Sequence, residues 1–328
     1  MFFSEAIARA LHEAMARDER IIVLGQDVGG FGGSYAEFSG LIKTFGARRV
    51  RDMPVAEASI VGVGAGAAAA GLRPVVGVTY MDFLMLGLDP LVNYAAKLRF
   101  KTGGQLRAPF VVKTTAGAKA QGVAHSQCLE AWVMSVPGLK VVAPATAADA
   151  YGLMKSALRD DGPVVYVDHK RLFPTVGEIV QDALVPIGRA AIRRRGTDVT
   201  IATHSYMCRI ADKAADQLAA EGIRCEVVDL RTLAPLDLST LSESAARTHA
   251  LVTLEEGQLA CGVGAEVAFR VRAEIDGLRV GRVGAQPAPV APSPVLEAAC
   301  LPDAQRVCAA VRQLLSARSG KTEERAKA

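Results

Sequence analysis

Two side chains in this sequence have types and surroundings suited to acid–base chemistry. Glu57 is a lone acid among apolar residues, and His125 lies in a loop of glycine and alanine directly before Ser126 and Gln127. Such an acid is most often solvated or placed at a helix N-terminus, where the helix dipole favours it. A lone loop histidine is more often structural, but its polar neighbours and the glycine-rich approach favour function. Spacing alone leaves the role of Glu57 open.

A run of glycine and alanine follows Glu57 and allows two interpretations. Gly62, Gly64 and Ala67 fit a relaxed dinucleotide-binding fingerprint, with Asp82 near the position of its acid. That fingerprint needs a strand before its first glycine, and residues 57–61 make a poor, short strand. Each glycine costs a helix about 1 kcal/mol relative to alanine. The run therefore favours a helix over about 58–71 that packs closely on another backbone, within the subunit or across a dimer axis.

The order of predicted strands and helices around these residues indicates an α/β fold. Apolar runs alternate with helical patterns up to about residue 170, which indicates a mostly parallel sheet covered on both faces. The pattern breaks from 170 to about 187 and then a second α/β unit begins. We therefore expect two domains, 1–185 and 186–316, each a mostly parallel sheet flanked by helices. Residues 317–328 are expected to form a charged flexible tail.

Composition excludes several classes of protein. The chain has 328 residues and a formal net charge of +4, which is too small to argue for nucleic-acid binding. The triplet at 193–195 is arginine throughout and is expected to be a solvated face of a hairpin or loop. None of the six cysteines forms a Cys-x-x-Cys pair, so we expect reduced thiols and no zinc site. Without a signal peptide or an apolar membrane span, the sequence predicts a cytoplasmic protein.

Several segments resemble one family, the beta subunits of the thiamine-diphosphate-dependent first component of 2-oxo acid dehydrogenases. They occur in one order from residue 4 to about 315 without large gaps. The segments are Asp18-Glu19-Arg20, Val23-Leu24-Gly25, Pro54-Val55-Ala56-Glu57, Ala69-Ala70-Gly71-Leu72-Arg73-Pro74, Ala95-Ala96-Lys97, His125-Ser126-Gln127-Cys128, Pro137-Gly138-Leu139-Lys140-Val141-Val142, Ser156-Ala157-Leu158-Arg159-Asp160 and Cys225-Glu226-Val227-Val228-Asp229-Leu230-Arg231-Thr232. The resemblance implies a pyrimidine-binding domain followed by a transketolase C-terminal-like domain.

The resemblance also implies roles for individual residues. Glu57 matches the glutamate that bonds the pyrimidine ring nitrogen of thiamine diphosphate, and Phe83 matches the aromatic that packs on that ring. Phe83 could equally be an ordinary core residue at a strand–helix junction. Val55 and Thr79 match other lining positions of the cofactor site. His125 matches the histidine that faces the reacting carbon and helps pass the acyl group to its acceptor.

Further expectations concern metals and partners. The resemblance implies that a separate alpha subunit holds the diphosphate and its magnesium, and this chain indeed lacks a Gly-Asp-Gly motif with a downstream Asn-Asn. The family implies two alpha and two beta subunits. It also implies a potassium ion held by backbone carbonyls, which match Phe110, Ala157, Leu158, Asp160 and Gly162.

The expected reaction is decarboxylation of a 2-oxo acid, with transfer of the acyl unit to a lipoyl group or carrier thiol. One alternative is a two-component, transketolase-like transfer of a two-carbon ketol unit to an acyl carrier protein. A second is a non-catalytic scaffold subunit, against which Glu57 and His125 both argue. Gln26, Ala124 and the run Tyr80-Met81-Asp82 depart from the family pattern. These departures suggest retained cofactor chemistry with an altered substrate or acceptor.

Overall fold

The structure is a computed structural model that describes residues 1–326, with side chains described through residue 316. The chain divides into two compact units. Unit 1 contains Met1–Gly188 and Arg231–Pro235, and unit 2 contains Arg189–Leu230 and the residues from Leu236 onward. Each unit has a sheet flanked by helices, so the predicted α/β class with two mostly parallel sheets is confirmed.

Unit 1 contains a seven-stranded sheet in the order β10-β5-β6-β4-β3-β1-β2. Its strands are β1 (Ile21–Gly25), β2 (Val50–Asp52), β3 (Arg73–Val78), β4 (Val111–Ala116), β5 (Lys140–Val142), β6 (Val164–His169) and β10 (Thr232–Ala234). All neighbouring pairs are parallel except β10, which lies antiparallel to β5 at one edge. The central strands β3, β4 and β6 are almost entirely buried, as expected for a parallel sheet covered on both faces.

Helices cover this sheet. They are α1 (Phe3–Arg17), α2 (Leu41–Phe45), α3 (Glu57–Ala69), α4 (Met81–Leu84), α5 (Ala96–Lys101), α6 (Glu130–Met134) and α7 (Ala147–Ala157). Between α4 and α5 the chain forms a 3₁₀ turn, Met85–Gly87, and a π-helical segment, Asp89–Ala95. Residues 82–101 therefore do not form one regular α-helix. Pro90 explains part of this interruption, because it has no backbone N–H to donate within a regular helix.

Helix α3 settles the two interpretations of the glycine run. The helix begins at Glu57, so Gly62 lies inside it and is preceded directly by helix and not by a strand. The dinucleotide-binding interpretation is therefore wrong. A Cβ on Gly64 would stand 2.3 Å from a methyl group of Val76 on β3, so close packing on the sheet requires this glycine. A Cβ on Gly66 would meet no atom within 4 Å.

Unit 2 contains a five-stranded sheet in the order β12-β11-β8-β9-β7. Its strands are β7 (Ala191–Arg194), β8 (Val199–Thr203), β9 (Cys225–Asp229), β11 (Ala250–Gln258) and β12 (Arg279–Ala285). Its helices are α8 (Met207–Ala219), α9 (Leu238–Thr248), α10 (Val263–Glu274), α11 (Pro294–Cys300) and α12 (Ala304–Ala326). The predicted charged tail overlaps the end of α12. Its last two residues lie outside the described residues, and its mobility stays a prediction.

Both sheets end in a short antiparallel edge strand that the sequence pattern did not predict. In unit 2 this strand is β7, which pairs with β9. Arg193 and Arg194 belong to it, and they form ion pairs with Asp212 and Asp216 of α8. These two arginines lie in a partly buried strand that pairs with β9, so the expectation of a solvated hairpin or loop face is wrong for them. No helix among the described residues is long and apolar enough to span a bilayer.

Candidate active site

A cleft of about 520 Å³ opens at the carboxyl ends of the strands of unit 1. Four neighbouring strands lead into it: Gln26 directly follows β1, Val55 follows β2, Thr79 follows β3, and His125 lies in the loop after β4. Carboxyl ends of parallel strands meet at one edge of a sheet, which is where α/β proteins usually bind ligands. The cleft is lined by Gln26, Ser34, Val55, Glu57, Thr79, Tyr80, Phe83, Leu86 and His125.

All five residues predicted for catalysis or cofactor binding lie around this cleft. Glu57, Thr79, Phe83 and His125 are buried or half-buried, whereas Val55 is 68% exposed. Sequence reasoning did not assign Ser34 or Leu86 to the cleft, and it noted Gln26 and Tyr80 only as departures. A signal for Gln26 and Tyr80 was available, because Gln26 directly follows one apolar run and Tyr80 ends another.

Glu57 is a buried acid without an internal partner. It is the first residue of α3 and is only 7% exposed. Within the part of the chain whose side chains are described, its carboxylate forms no hydrogen bond or ion pair, and it does not cap its own helix. Burying a carboxylate costs free energy unless a donor compensates it. Because this carboxylate lines the cleft, a ligand there is well placed to supply the donor.

Aromatic rings hold His125 in place at the wall of the cleft. The imidazole stands edge-on to the Tyr80 ring at 5.4 Å between centroids and to the Phe83 ring at 5.2 Å. Phe83 therefore contacts another site residue and is not solely a core residue. Both rings follow β3, whereas His125 comes from the loop after β4. The sheet order thus brings together groups that are more than forty positions apart in the sequence.

Asp82 anchors the loop that carries His125. One oxygen of its buried carboxylate accepts hydrogen bonds from the backbone N–H of Gln127 at 3.2 Å and from its side-chain amide at 3.0 Å. Asp82 belongs to the run at 80–82 that departs from the family pattern, and it fixes the part of the loop that follows His125. In the sequence Asp82 drew attention as a candidate acid of a dinucleotide fingerprint and as part of the departure at 80–82, but not as an anchor of this loop.

A buried charge cluster lies close to the aromatic residues beside the cleft. The Lys113 ammonium pairs with Glu37 at 2.6 Å and with Asp168 at 2.9 Å, and all three side chains are essentially inaccessible to solvent. Burial raises the pKa of Asp168 to about 6, although Lys113 opposes that shift. Lys113 also lies 5.3 Å from the Phe173 ring centroid, and Phe173 stacks on Tyr35 at 4.2 Å.

Tyr35 continues the aromatic contacts towards the cleft. Its ring is tilted against that of Tyr80 at 6.4 Å between centroids. Burial raises the pKa of Tyr35, and its hydrogen bond with Tyr80 raises it further. The Tyr35 phenol is therefore neutral at physiological pH, and it presents a hydroxyl group rather than a charge.

The residues predicted to hold potassium lie away from the cleft. Phe110 immediately precedes β4, and Asp160 and Gly162 precede β6, so they lie at the amino ends of strands whose carboxyl ends form the cleft. The guanidinium of Arg73 donates hydrogen bonds to the carbonyls of Leu158 at 3.1 Å and Asp160 at 2.9 Å. Each carbonyl retains a second lone pair, so the potassium site stays a prediction.

Comparisons with known proteins follow the two units. Residues 1–175 match the family "Transketolase, pyrimidine binding domain", and residues 188–307 match "Transketolase, C-terminal domain". Among solved structures, "Split gene transketolase, inactive beta4 tetramer" is similar with a TM-score of 0.81 and 30% identity. That likeness covers 96% of this chain and 99% of the other.

The similar curated proteins carry related names. "Pyruvate dehydrogenase E1 component subunit beta" of Rhizobium meliloti (strain 1021) is 44% identical over 274 residues, a match covering 83% of this chain but only 60% of that protein. The mitochondrial subunit beta-1 of Arabidopsis thaliana is 44% identical over 277 residues, covering 83% and 76%. The mitochondrial subunit beta of Drosophila melanogaster is 39% identical over 333 residues, covering 98% and 91%.

Proposed function

Because this chain belongs to the family of pyruvate dehydrogenase E1 beta subunits, we propose that it acts as the beta subunit of a two-component enzyme. The enzyme uses thiamine diphosphate to decarboxylate a 2-oxo acid and passes the acyl unit to a lipoyl group. The observation that carries this proposal is the unpaired carboxylate of the largely buried Glu57, which lines a cleft at the carboxyl ends of the strands. The family predicted from the sequence is confirmed.

The residues around the cleft fit the aminopyrimidine half of thiamine diphosphate. Glu57 offers a hydrogen-bonding carboxyl to a ring nitrogen, while Val55, Phe83 and Leu86 offer apolar surface beside it. When bound, the cofactor supplies the electron sink that permits cleavage of a bond next to a carbonyl. The proposed role of Glu57 is to hold a proton against the ring nitrogen, because no other residue in the lining of the cleft is an acid.

His125 is proposed to act on the acyl group and its acceptor. Its half-buried ring lies in the wall of the cleft, and its edge-on contacts with Tyr80 and Phe83 fix the orientation of the ring nitrogens. An imidazole held in this way is suited to donating or accepting a proton during acyl transfer. Thr79 completes the proposed lining beside the cofactor.

An alpha subunit is proposed to hold the diphosphate and magnesium, in an assembly of two alpha and two beta subunits. This part of the proposal rests on the names of the E1 relatives and on the missing diphosphate motif. A structural potassium ion at Phe110, Ala157, Leu158, Asp160 and Gly162 and a cytoplasmic location also remain proposals.

A second candidate function is the transfer of a two-carbon ketol unit, with an acyl carrier protein as one conceivable acceptor. It is favoured by the likeness to a split-gene transketolase. Gln26, Ser34 and Tyr80 also give part of the cleft wall a polar character that could bind a hydroxylated substrate. An assay with a hydroxyketone donor in place of a 2-oxo acid separates the two functions by their products.

The test of the primary proposal is Glu57→Gln in the complex with the alpha subunit. We expect the complex to assemble as in the wild type, and turnover of the 2-oxo acid to fall by roughly 10²–10⁴-fold because general acid–base catalysis is lost. Gel filtration measures assembly, and release of carbon dioxide measures turnover.

The matched control is Glu266→Gln, which changes an exposed glutamate in the first turn of α10. It should leave both assembly and turnover unchanged. Turnover by Glu57→Gln close to that of the wild type would refute the proposed function.

A further inference from the structure

A second buried lysine, Lys170, contacts the His125 loop directly. It is the first residue after β6, and its side chain is fully buried. Its ammonium donates a hydrogen bond to the backbone carbonyl of His125, across 45 positions of the sequence. The same nitrogen lies 4.1 Å from the centroid of the Tyr80 ring. One cation therefore contacts both the backbone of the site histidine and a ring that packs against its imidazole.

These contacts fix His125 from two directions. The hydrogen bond sets the position of the backbone at His125, while the cation–π contact holds the Tyr80 ring against which the imidazole rests. Gln121, from the same loop, donates a hydrogen bond to the Tyr80 hydroxyl at 3.3 Å. Because a desolvated cation over an aromatic ring is strongly held, the lysine links strand β6, the tyrosine and the loop into one unit.

Lys170 does not line the cleft, so it does not touch a ligand there directly. Its effect on chemistry must pass through His125 and Tyr80. Glu57 reaches the cleft from α3, whereas Lys170 follows β6. The geometry therefore separates the two halves of the site, with Glu57 on one side and the Lys170–Tyr80–His125 group on the other.

We propose that Lys170 is a positioning residue for acyl transfer. It holds the His125 backbone and imidazole in the position and orientation needed to act on the acyl group. This inference rests on the proposed function. A displacement of about 1 Å in a reacting group can cost roughly 10²-fold in rate. Loss of the lysine should therefore slow the step that needs His125 and spare the step that needs Glu57.

The experiment compares Lys170→Met with Lys170→Arg in the assembled complex. Decarboxylation is measured with an artificial electron acceptor, acyl transfer with a lipoyl domain, and thiamine diphosphate affinity by titration. We expect Lys170→Met to slow acyl transfer by roughly 10–100-fold. Decarboxylation and cofactor affinity should change by less than about threefold, and Lys170→Arg should recover most of the transfer rate because it keeps the charge.

The matched control is Lys155→Met, which removes another buried lysine of unit 1 that pairs with Glu13 and Asp182 and contacts no residue of the cleft lining. Lys155→Met should not slow acyl transfer more than it slows decarboxylation. A second variant, Lys170→Gln, keeps a polar side chain of similar length but removes the charge, so it should slow acyl transfer more than decarboxylation if Lys170→Met fails to fold. In a double-mutant cycle of Lys170→Met with Tyr80→Leu, the losses of acyl transfer should be less than additive, because both changes break one contact.

Two results would overturn the inference. One is an equal loss in both steps for Lys170→Met, matched by Lys155→Met, which would make the lysine merely structural. The other is unchanged acyl transfer in Lys170→Met. Failure of the proposed function itself is distinguishable, because it would appear as full activity in Glu57→Gln whatever the lysine variants do.

Discussion

Glu57 in unit 1 and Glu255 in unit 2 are both buried glutamates next to a helix N-terminus: Glu57 is the first residue of α3, and Glu255 lies on β11 with its carboxylate against the start of α10. Glu255 is 3% exposed, and its carboxylate accepts a hydrogen bond from the backbone N–H of Gly264 at 3.0 Å in the first turn of α10. Arg282 lies 3.5 Å from the same oxygen. Glu57 is 7% exposed and lacks such partners within the described side chains.

The two acids differ in whether the fold supplies a partner for the carboxylate, and this difference distinguishes an acid that stabilises the fold from one that can bind a ligand. Unit 2 compensates its buried charge internally, so Glu255 ties α10 to β11 and β12. Unit 1 leaves its charge facing a cleft, where compensation must come from a ligand. A buried polar group that the fold itself does not satisfy is therefore the stronger indication of a site. Burial alone would not have distinguished the two residues.

The largest expected effect on stability is at Glu255. Glu255→Ala should lower the free energy of unfolding of the chain by about 1–3 kcal/mol, because a buried N–H and the Arg282 guanidinium lose their acceptor. Glu57→Ala should change it by less than about 1 kcal/mol, since only the interaction with the helix dipole is lost. Urea unfolding of both variants measures the difference. A larger loss at Glu57 than at Glu255 would break the comparison.

A third buried acid extends the comparison to pH. Burial raises the pKa of Asp168 to about 6, against 3.8 for an ordinary aspartate. The folded chain therefore holds a proton that the unfolded chain has released, so stability should fall as pH rises from about 4 to about 6. The slope contributed by one group is at most about 1.4 kcal/mol per pH unit. Denaturant midpoints across this range should show that Asp168→Asn removes this contribution.

The exposed acids around Lys155 should respond in the opposite direction. Hydrogen bonds from Arg17 and Lys155 lower the pKa of Asp182 to about 2. The stability that Asp182 contributes is therefore present above about pH 4 and is lost as the pH falls towards 2. Asp182→Asn should lower the midpoints above about pH 4 and remove the further loss towards pH 2, while the slope of the midpoints between pH 4 and 6 stays as in the wild type. An identical pH response in the two aspartate variants would contradict this assignment.

The smallest expected effect concerns the helix that carries Glu57. Gly66→Ala should stabilise the isolated chain by up to about 1 kcal/mol, because alanine favours the helix and meets no neighbour. Gly64→Ala should destabilise it, because the added Cβ would collide with Val76. Thermal unfolding of the isolated chain measures both. Equal effects of the two substitutions would show that α3 does not pack on β3 as described.

The amino-acid sequence determined the family, the α/β class and most of the strands and helices. It did so because the apolar runs are long and the motifs around Glu57 and His125 are local. The edge strands β7 and β10 were missed, since three or four residues carry no usable periodicity and such strands form only when a neighbour offers hydrogen bonds. α11 was missed because Pro294 closes a stretch rich in proline, although proline is favoured in the first turn of a helix.

Only the tertiary structure decided how the site is held together. Lys113 meets Glu37 across 76 positions and Lys170 meets His125 across 45, so no local pattern could pair them. The order of strands in the sheet brings these segments together. The sequence thus specified which groups could do chemistry, because residue type sets reactivity. Long-range packing decides that the Glu57 carboxylate has no internal partner in the cleft. It also decides that a buried lysine contacts the His125 backbone.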